Sequence, residues 1–244
     1  MSRAVIRRSC VAGVAALSLT LLAACSDSGG SESEGDSGGK TPTLSAADLE
    51  KVALKDGDVE GHKVTEPTAT VDQKDVEPGS DECAPVAYAM VGSVVDEPSA
   101  TVQRETAGEI DPAEAAKSGG SSGLDVTRVL LRLSAYDSAA AQSVMKSLNT
   151  SAKACADGFK VTVDGTTQDV TKVATATAPE GADEAIAIDF VSEAEAAKIP
   201  MKVVVFRKGS TLGYFTALNL ASAATGKDFE FPTEVVEAQV KKLS

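Results

Sequence analysis

The chain has 244 residues, 36 acidic against 23 basic, and a net charge of −13 at pH 7. A surface this negative excludes the electrostatic hold on nucleic acid or on anionic lipid headgroups that a basic protein enjoys. There is no Trp, one His and only 4% aromatic residues, which removes stacking platforms and His-based metal centres and leaves Val, Leu, Ile and Ala to build the core.

Arg3, Arg7 and Arg8 precede an apolar run from Val11 to Leu22, which ends in Thr20-Leu21-Leu22-Ala23-Ala24-Cys25. A positive flank followed by about a dozen apolar residues is the layout of a secretory signal. A membrane span needs about 20 such residues, and Ser18 and Thr20 interrupt this run. Leu22-Ala23-Ala24-Cys25 resembles the lipobox of bacterial lipoproteins. The resemblance implies a signal over residues 1–24, lipid on Cys25, and anchoring on the extracytoplasmic face of the cell membrane. Arg7-Arg8 fits the twin-arginine route only loosely, because Cys10 stands where a large apolar residue is usual, so both export routes stay open.

Cleavage before Cys25 would remove arginines and no acid, leaving the mature chain still more acidic. Residues 25–43 then form the acylated Cys and a Gly/Ser/acidic linker with no large apolar side chain before Leu44, too polar to offset its ordering entropy. Cys10 leaves with the signal and Cys25 carries lipid, so Cys83 and Cys155 remain. In an exported protein that even remainder reads as a disulfide, with two separate buried thiols as the alternative.

From Leu44 to Ser244 there is enough chain for one domain. Ser45 caps a helix that runs to Leu54. Asp81 to Gly92 reads as a second helix, with Pro85 tolerated in its first turn. Ala100 to Thr106 is a weak strand. Asp111-Pro112-Ala113-Glu114 opens a short helix that must end at the Ser118 to Gly123 loop. Val126 to Tyr136 is a strong strand, with Val129, Leu131, Leu133 and Ala135 on one face and Arg128, Leu130, Arg132 and Ser134 on the other. Asp137 opens a helix to Ala156 whose apolar stripe includes Val144, Leu148 and Cys155.

Phe159 to Val163 and Val170 to Thr175 are strands around the turn Asp164-Gly165. Glu184 to Val191 alternates, and Met201 to Lys208 and Thr211 to Leu220 are β runs joined by Gly209-Ser210. A helix between Pro232 and Lys242 closes the chain. Consecutive strands with short turns predict an α+β domain built on a single antiparallel sheet of about five to seven strands flanked by helices.

Several stretches together carry a family resemblance: a helix bearing Cys83, the passage Leu131-Arg132-Leu133-Ser134-Ala135-Tyr136-Asp137-Ser138-Ala139-Ala140-Ala141, Cys155 before Gly158-Phe159, and the hairpin Val203-Val204-Val205-Phe206-Arg207-Lys208-Gly209-Ser210-Thr211-Leu212-Gly213-Tyr214. They resemble the extracellular sensor-type domain of actinobacterial PknH-like kinases and related lipoproteins, over most of residues 44–244. The resemblance implies an antiparallel sheet with helices around a cleft, and ligand binding in place of chemistry. The known sensor domain has two disulfides, whereas this chain has cysteines for one within the domain.

Residue patterns for catalysis are thin. His62 lacks a nucleophile motif beside it and reads as a surface residue. Gly119-Gly120-Ser121-Ser122-Gly123 matches a nucleophile elbow in letters but lacks the flanking strand and helix. Asp56-Gly57-Asp58-Val59-Glu60-Gly61 resembles half a calcium loop, with Pro67 where the closing Glu belongs. The expectation is a non-catalytic domain with no cofactor and no metal site, a membrane partner through its lipid, no nucleic-acid partner, and an unidentified small-molecule or envelope ligand. The alternative is a lipid or glycolipid carrier. Arg128 and Arg132, four apart on one strand face, are the candidate ligand-binding pair: if the Val129 face packs on helices, theirs faces a cleft.

Overall fold

The computed structural model describes residues 43–109, 125–194 and 197–244. The signal at 1–24, Cys25, the linker to Pro42, the helix start at Asp111-Pro112-Ala113-Glu114 and the Ser118 to Gly123 loop lie outside the described residues.

In chain order the elements are α1 (Ala46–Val52), β1 (His62–Thr65), a 3-10 turn (Gln73–Asp75), β2 (Val76–Pro78), α2 (Ala84–Met90), β3 (Ala100–Gly108), β4 (Thr127–Ala135), α3 (Ser138–Ala154), β5 (Phe159–Val163), β6 (Thr166–Ala176), β7 (Glu184–Ala194), β8 (Ala197–Lys208), β9 (Thr211–Asn219), α4 (Leu220–Thr225) and α5 (Thr233–Lys242). The predicted caps are in place. Ser45 accepts from the Asp48 N–H and Asp137 from the Ala140 N–H, each such cap contributing about 1 kcal/mol. Pro85 sits in the first turn of α2, where a missing N–H is harmless.

The nine strands among the described residues join one antiparallel sheet in the order β1-β3-β4-β9-β8-β7-β6-β5-β2. This exceeds the expected five to seven. The two extra strands are the edges β1 and β2, only four and three residues long, too short to show an alternation. α4 is likewise unexpected. Its first residue, Leu220, prolongs the apolar run of β9, and Asn219 turns the chain by accepting from the Ser222 N–H.

Both faces of the sheet are covered. On one, α2 and α3 pack over Val161, Val173, Ile186, Ile188, Phe190, Val203, Val205, Leu212 and Tyr214. On the other, α1 and α5 pack over Val129, Leu131, Leu133, Val204, Phe206, Phe215 and Ala217. β9 is therefore apolar at successive positions instead of alternating, as a strand buried on both faces must be. Gly213 has a packing reason: a Cβ there would lie 2.6 Å from the Phe206 ring and 2.9 Å from that of Phe215, a ring pair with centroids 5.6 Å apart.

Cys83 and Cys155 are bonded, with Cα atoms 5.9 Å apart, and tie the start of α2 to the C-cap of α3. Among the described residues no helix is long and apolar enough to cross a membrane.

β1 and β2 are consecutive strands at opposite edges of the sheet, so residues 66–75 must pass from one edge to the other. Eight inter-strand steps on a flat sheet would cover about 38 Å. Eleven Cα steps reach at most about 40 Å when fully extended, and the 3-10 turn shortens that. The sheet therefore curls, and this strap crosses the α2/α3 face.

Candidate functional site

The strap has few ties to the rest of the molecule. The Arg132 guanidinium donates to the Val71 carbonyl at 3.1 Å and lies 3.8 Å from the Asp72 carboxylate. The Gln73 amide donates to the carbonyls of Val94 (2.7 Å) and Asp96 (3.0 Å). Near its end the Asp164 N–H donates to the Asp75 carbonyl at 3.0 Å.

The loop that receives Gln73 is itself fixed from below by two buried phenols. Tyr136 donates to the Val95 carbonyl at 2.7 Å, Tyr214 accepts from the Val95 N–H at 3.4 Å, and the two hydroxyls are 3.0 Å apart. Burial, first of all, pushes both phenols far above the usual tyrosine range, so they are neutral hydrogen-bonding groups at any physiological pH. Thr216 adds a further pin by donating to the Ala89 carbonyl of α2 at 2.9 Å.

Three cavities follow one another along this face of β4. An apolar groove of about 310 Å3 has Leu130, Leu218, Thr216 and Met201 as its floor and Met90 and Val91 of α2 on one side. Thr68 and Ala69 of the strap also line it, and Arg128 and Glu105 bring charge to it. Beneath the strap a space of about 10 Å3 shares Ala69, Val91 and Leu130 with that groove and also touches Gln103 and Arg132. Beyond the strap an open cleft of about 430 Å3 is lined by Asp72, Gln73, Lys74, Val94, Asp96, Glu97, Pro98 and Arg132.

Arg128 and Arg132 share a strand face, as the period of two requires, but do not project together into open solvent. Arg128 is half exposed and its Nε donates to Glu105 at 3.0 Å. Arg132 has only 6% of its side chain exposed. The expectation that their whole face opens to a cleft is corrected here, because α2 and the strap cover it: Ser134 is fully buried and Leu130 partly.

His62 is also corrected. It begins β1, its side chain is only 9% exposed, and its Nε2 is 3.0 Å from the Glu234 carboxylate at the start of α5. The half-loop resembling a calcium site serves as a turn: the Asp56 carboxylate accepts from the Val64 N–H at 3.1 Å and Asp58 from the Lys55 N–H at 2.7 Å. Among the described residues no group of three or more His, Cys, Asp and Glu is placed to hold a metal ion.

A second cleft lies on the opposite face and had no sequence signal. About 290 Å3 in volume, it contains Lys202, Asp189, Asp228, Phe229 and Phe231. Lys202 Nζ lies 3.4 Å from Asp189, 3.1 Å from Asp228 and 5.6 Å from the Phe229 ring centre. Burial alone would raise the Asp228 carboxyl, but the Lys202 ammonium outweighs it and holds the group below the usual range. The cation and its carboxylates satisfy one another.

A curled antiparallel sheet with helices on both faces, one staple between two helices among the described residues, and a strapped groove define this α+β fold. Among solved structures the chain is similar to the extracellular domain of PknH from Mycobacterium tuberculosis, with 11% sequence identity, 83% of this chain and 96% of that one covered, and a TM-score of 0.53. An Rv0999 ortholog from Mycobacterium smegmatis aligns over 81% of this chain and 94% of its own at 11% identity, with a TM-score of 0.36. No protein-family model and no curated protein matches. The PknH-like fold expected from the sequence is thus found in the structure.

Proposed function

We propose that this chain is a membrane-anchored, extracytoplasmic, non-catalytic ligand-binding domain of the sensor type, held by lipid on Cys25. The observation that carries the binding role is the strapped groove: apolar along its floor, with charged groups beside it, and built on strands and a helix whose positions are fixed by buried hydrogen bonds. The likeness in fold to an extracellular sensor domain supports the same reading, as does the lipobox. A glycolipid carrier needs a large enclosed apolar void, whereas the clefts described above are open and of about 290 to 430 Å3, at the small end for small-molecule sites.

The test is native mass spectrometry of the protein purified from its own host. Wild type is expected to carry a bound mass of small-molecule size, and Leu130→Trp, which fills the groove, is expected to lose it while keeping the circular dichroism spectrum. An unchanged bound mass in Leu130→Trp refutes the groove. In the same host, Cys25→Ala is expected to leave the membrane fraction and to fail to incorporate a fatty-acid probe. Retention of both membrane association and label refutes the anchor.

A further inference from the structure

Among the described residues the three guanidiniums other than that of Arg132, and the buried ammonium of Lys202, are matched by carboxylates in direct contact. Arg104 meets Glu50, Arg128 meets Glu105, Lys202 sits between two aspartates, and Arg207 lies 3.3 Å from Asp183 and 3.4 Å from Glu184. Arg132 is different. It is the most buried of these guanidiniums, yet its near partners are neutral: the Val71 carbonyl, and the Gln103 amide oxygen at 2.6 Å from Nη2 and 3.1 Å from Nε once the amide is oriented by its hydrogen bonds. Its nearest carboxylate among the described residues, Asp72, is 3.8 Å away, more than half exposed, and carried on the strap. In a chain with 36 acids a buried guanidinium whose carboxylate partner is exposed and no nearer than 3.8 Å is conspicuous, since burying a charge is costly unless an opposite charge meets it closely.

What surrounds Arg132 points to what would complete it. The space beneath the strap shares Ala69, Val91 and Leu130 with the apolar groove, and Leu130 is two residues from Arg132 along the same strand face, about 7 Å away. At about 10 Å3 this space admits an anionic group only if the strap segment at Val71 and Asp72 moves aside. No carboxylate lines that space. The cleft on the far side of the strap carries three carboxylates, Asp72, Asp96 and Glu97, against one further cation, Lys74, so its charge disfavours an anion from that direction. An anionic group is therefore better received along the groove, where Glu105 is paired with Arg128, with its apolar remainder lying on Leu130, Met90 and Leu218.

We propose that Arg132 is the anion-receiving point of the groove, and that the ligand is a carboxylate or phosphate carried on a short aliphatic chain, which takes the place of Val71 and Asp72 at the guanidinium. This deepens the reading of the groove as the ligand site and rests on it. Burial holds the Arg132 guanidinium below the ordinary arginine range, and the Asp72 charge offsets this only in part, which is the electrostatic deficit an arriving anion would fill.

The probes are decanoate, decanol and inorganic phosphate, titrated calorimetrically against the chain beginning at Cys25 and made without acylation. Decanoate is expected to bind roughly tenfold or more tightly than decanol, as a charge-assisted hydrogen bond to a buried guanidinium would give. Phosphate without a chain is expected to bind more weakly than decanoate. Asp72→Asn, a change at an exposed residue, is expected to tighten decanoate by about threefold and leave decanol unchanged, because it removes the competing charge. Equal affinity for decanoate and decanol, or no gain for decanoate in Asp72→Asn, overturns the assignment. If both probes bind alike and Leu130→Trp abolishes both, the groove stands and the anion site falls. Decanoate binding that survives Leu130→Trp overturns it as well, since the anion would then lie elsewhere.

Discussion

Arg128 and Arg132 show how far a residue's period determines its role. Parity put both on one face of β4, and the structure agrees. Their burial differs because the Val71 carbonyl that covers Arg132 comes from 61 residues earlier in the chain, on a segment with no periodic pattern to announce it. Asp58 makes a similar point. Its half-loop reads as a metal motif, yet its carboxylate binds Lys242 at the end of α5 and the Lys55 N–H. Burial would raise the Asp58 pKa, but the Lys242 hydrogen bond and charge bring it below the ordinary value. A depressed folded-state pKa means that the stabilisation is present above the unfolded value, about 3.9, and is lost as pH falls through the folded one. Asp58→Asn is therefore expected to cost up to about 1 kcal/mol at pH 7, since the pair is partly exposed, and progressively less as the pH falls below about 3.9 toward the depressed folded-state value. Urea denaturation at pH 7 and pH 2.5 checks this, and an equal deficit at both values contradicts it.

At the scale of elements, strong periodicity was read well and short pairing was not. α3 and β4 through β9 lie where their apolar spacing put them, including the hairpin at Gly209-Ser210, where Gly209 takes φ +59°. β1 and β2 escaped because an edge strand of three or four residues is defined by its partner: Val76 to Pro78 are a strand only because β5 lies beside them. The staple was readable from cysteine arithmetic, and the helices assigned to Cys83 and Cys155 already told which two elements it joins; the structure puts it at the start of α2 and the C-cap of α3. It closes a separation of 72 residues, which in the chain-entropy model stabilises by about 4 kcal/mol. A side-chain bond runs parallel to it, from Ser151 to the Glu82 carbonyl at 2.7 Å. The Cys83→Ser/Cys155→Ser double variant is expected to lose about 4 kcal/mol, a large share of a typical domain's stability of about 5–15 kcal/mol. Chemical denaturation measures it, and a loss below about 1 kcal/mol would show that α2 and α3 hold one another without the bond.

For the molecule as a whole, the order of strands along the sheet sets an order of assembly. β5 through β9 are an unbroken meander in which each strand pairs with the next in sequence, and the β3–β4 hairpin needs only to dock on β9. The meander's contacts close short loops, which favours their forming early, whereas the β4–β9 pairing closes a long one. The N-terminal segment supplies both outer strands and nothing between them, each held by pairing on one side only, β1 by β3 and β2 by β5. Its two edge strands are joined by one strap of ten residues with few ties to the rest of the molecule. Amide hydrogen exchange should then show Val64 and Val76 opening together as one unit of low local stability, while Val129 and Phe215 exchange only through global unfolding. A protection of β2 that matched β5 and exceeded β1 would separate the two edges. If they open as one, the molecule has a single seam, and loosening either edge exposes the other to pairing with a second chain along a free strand.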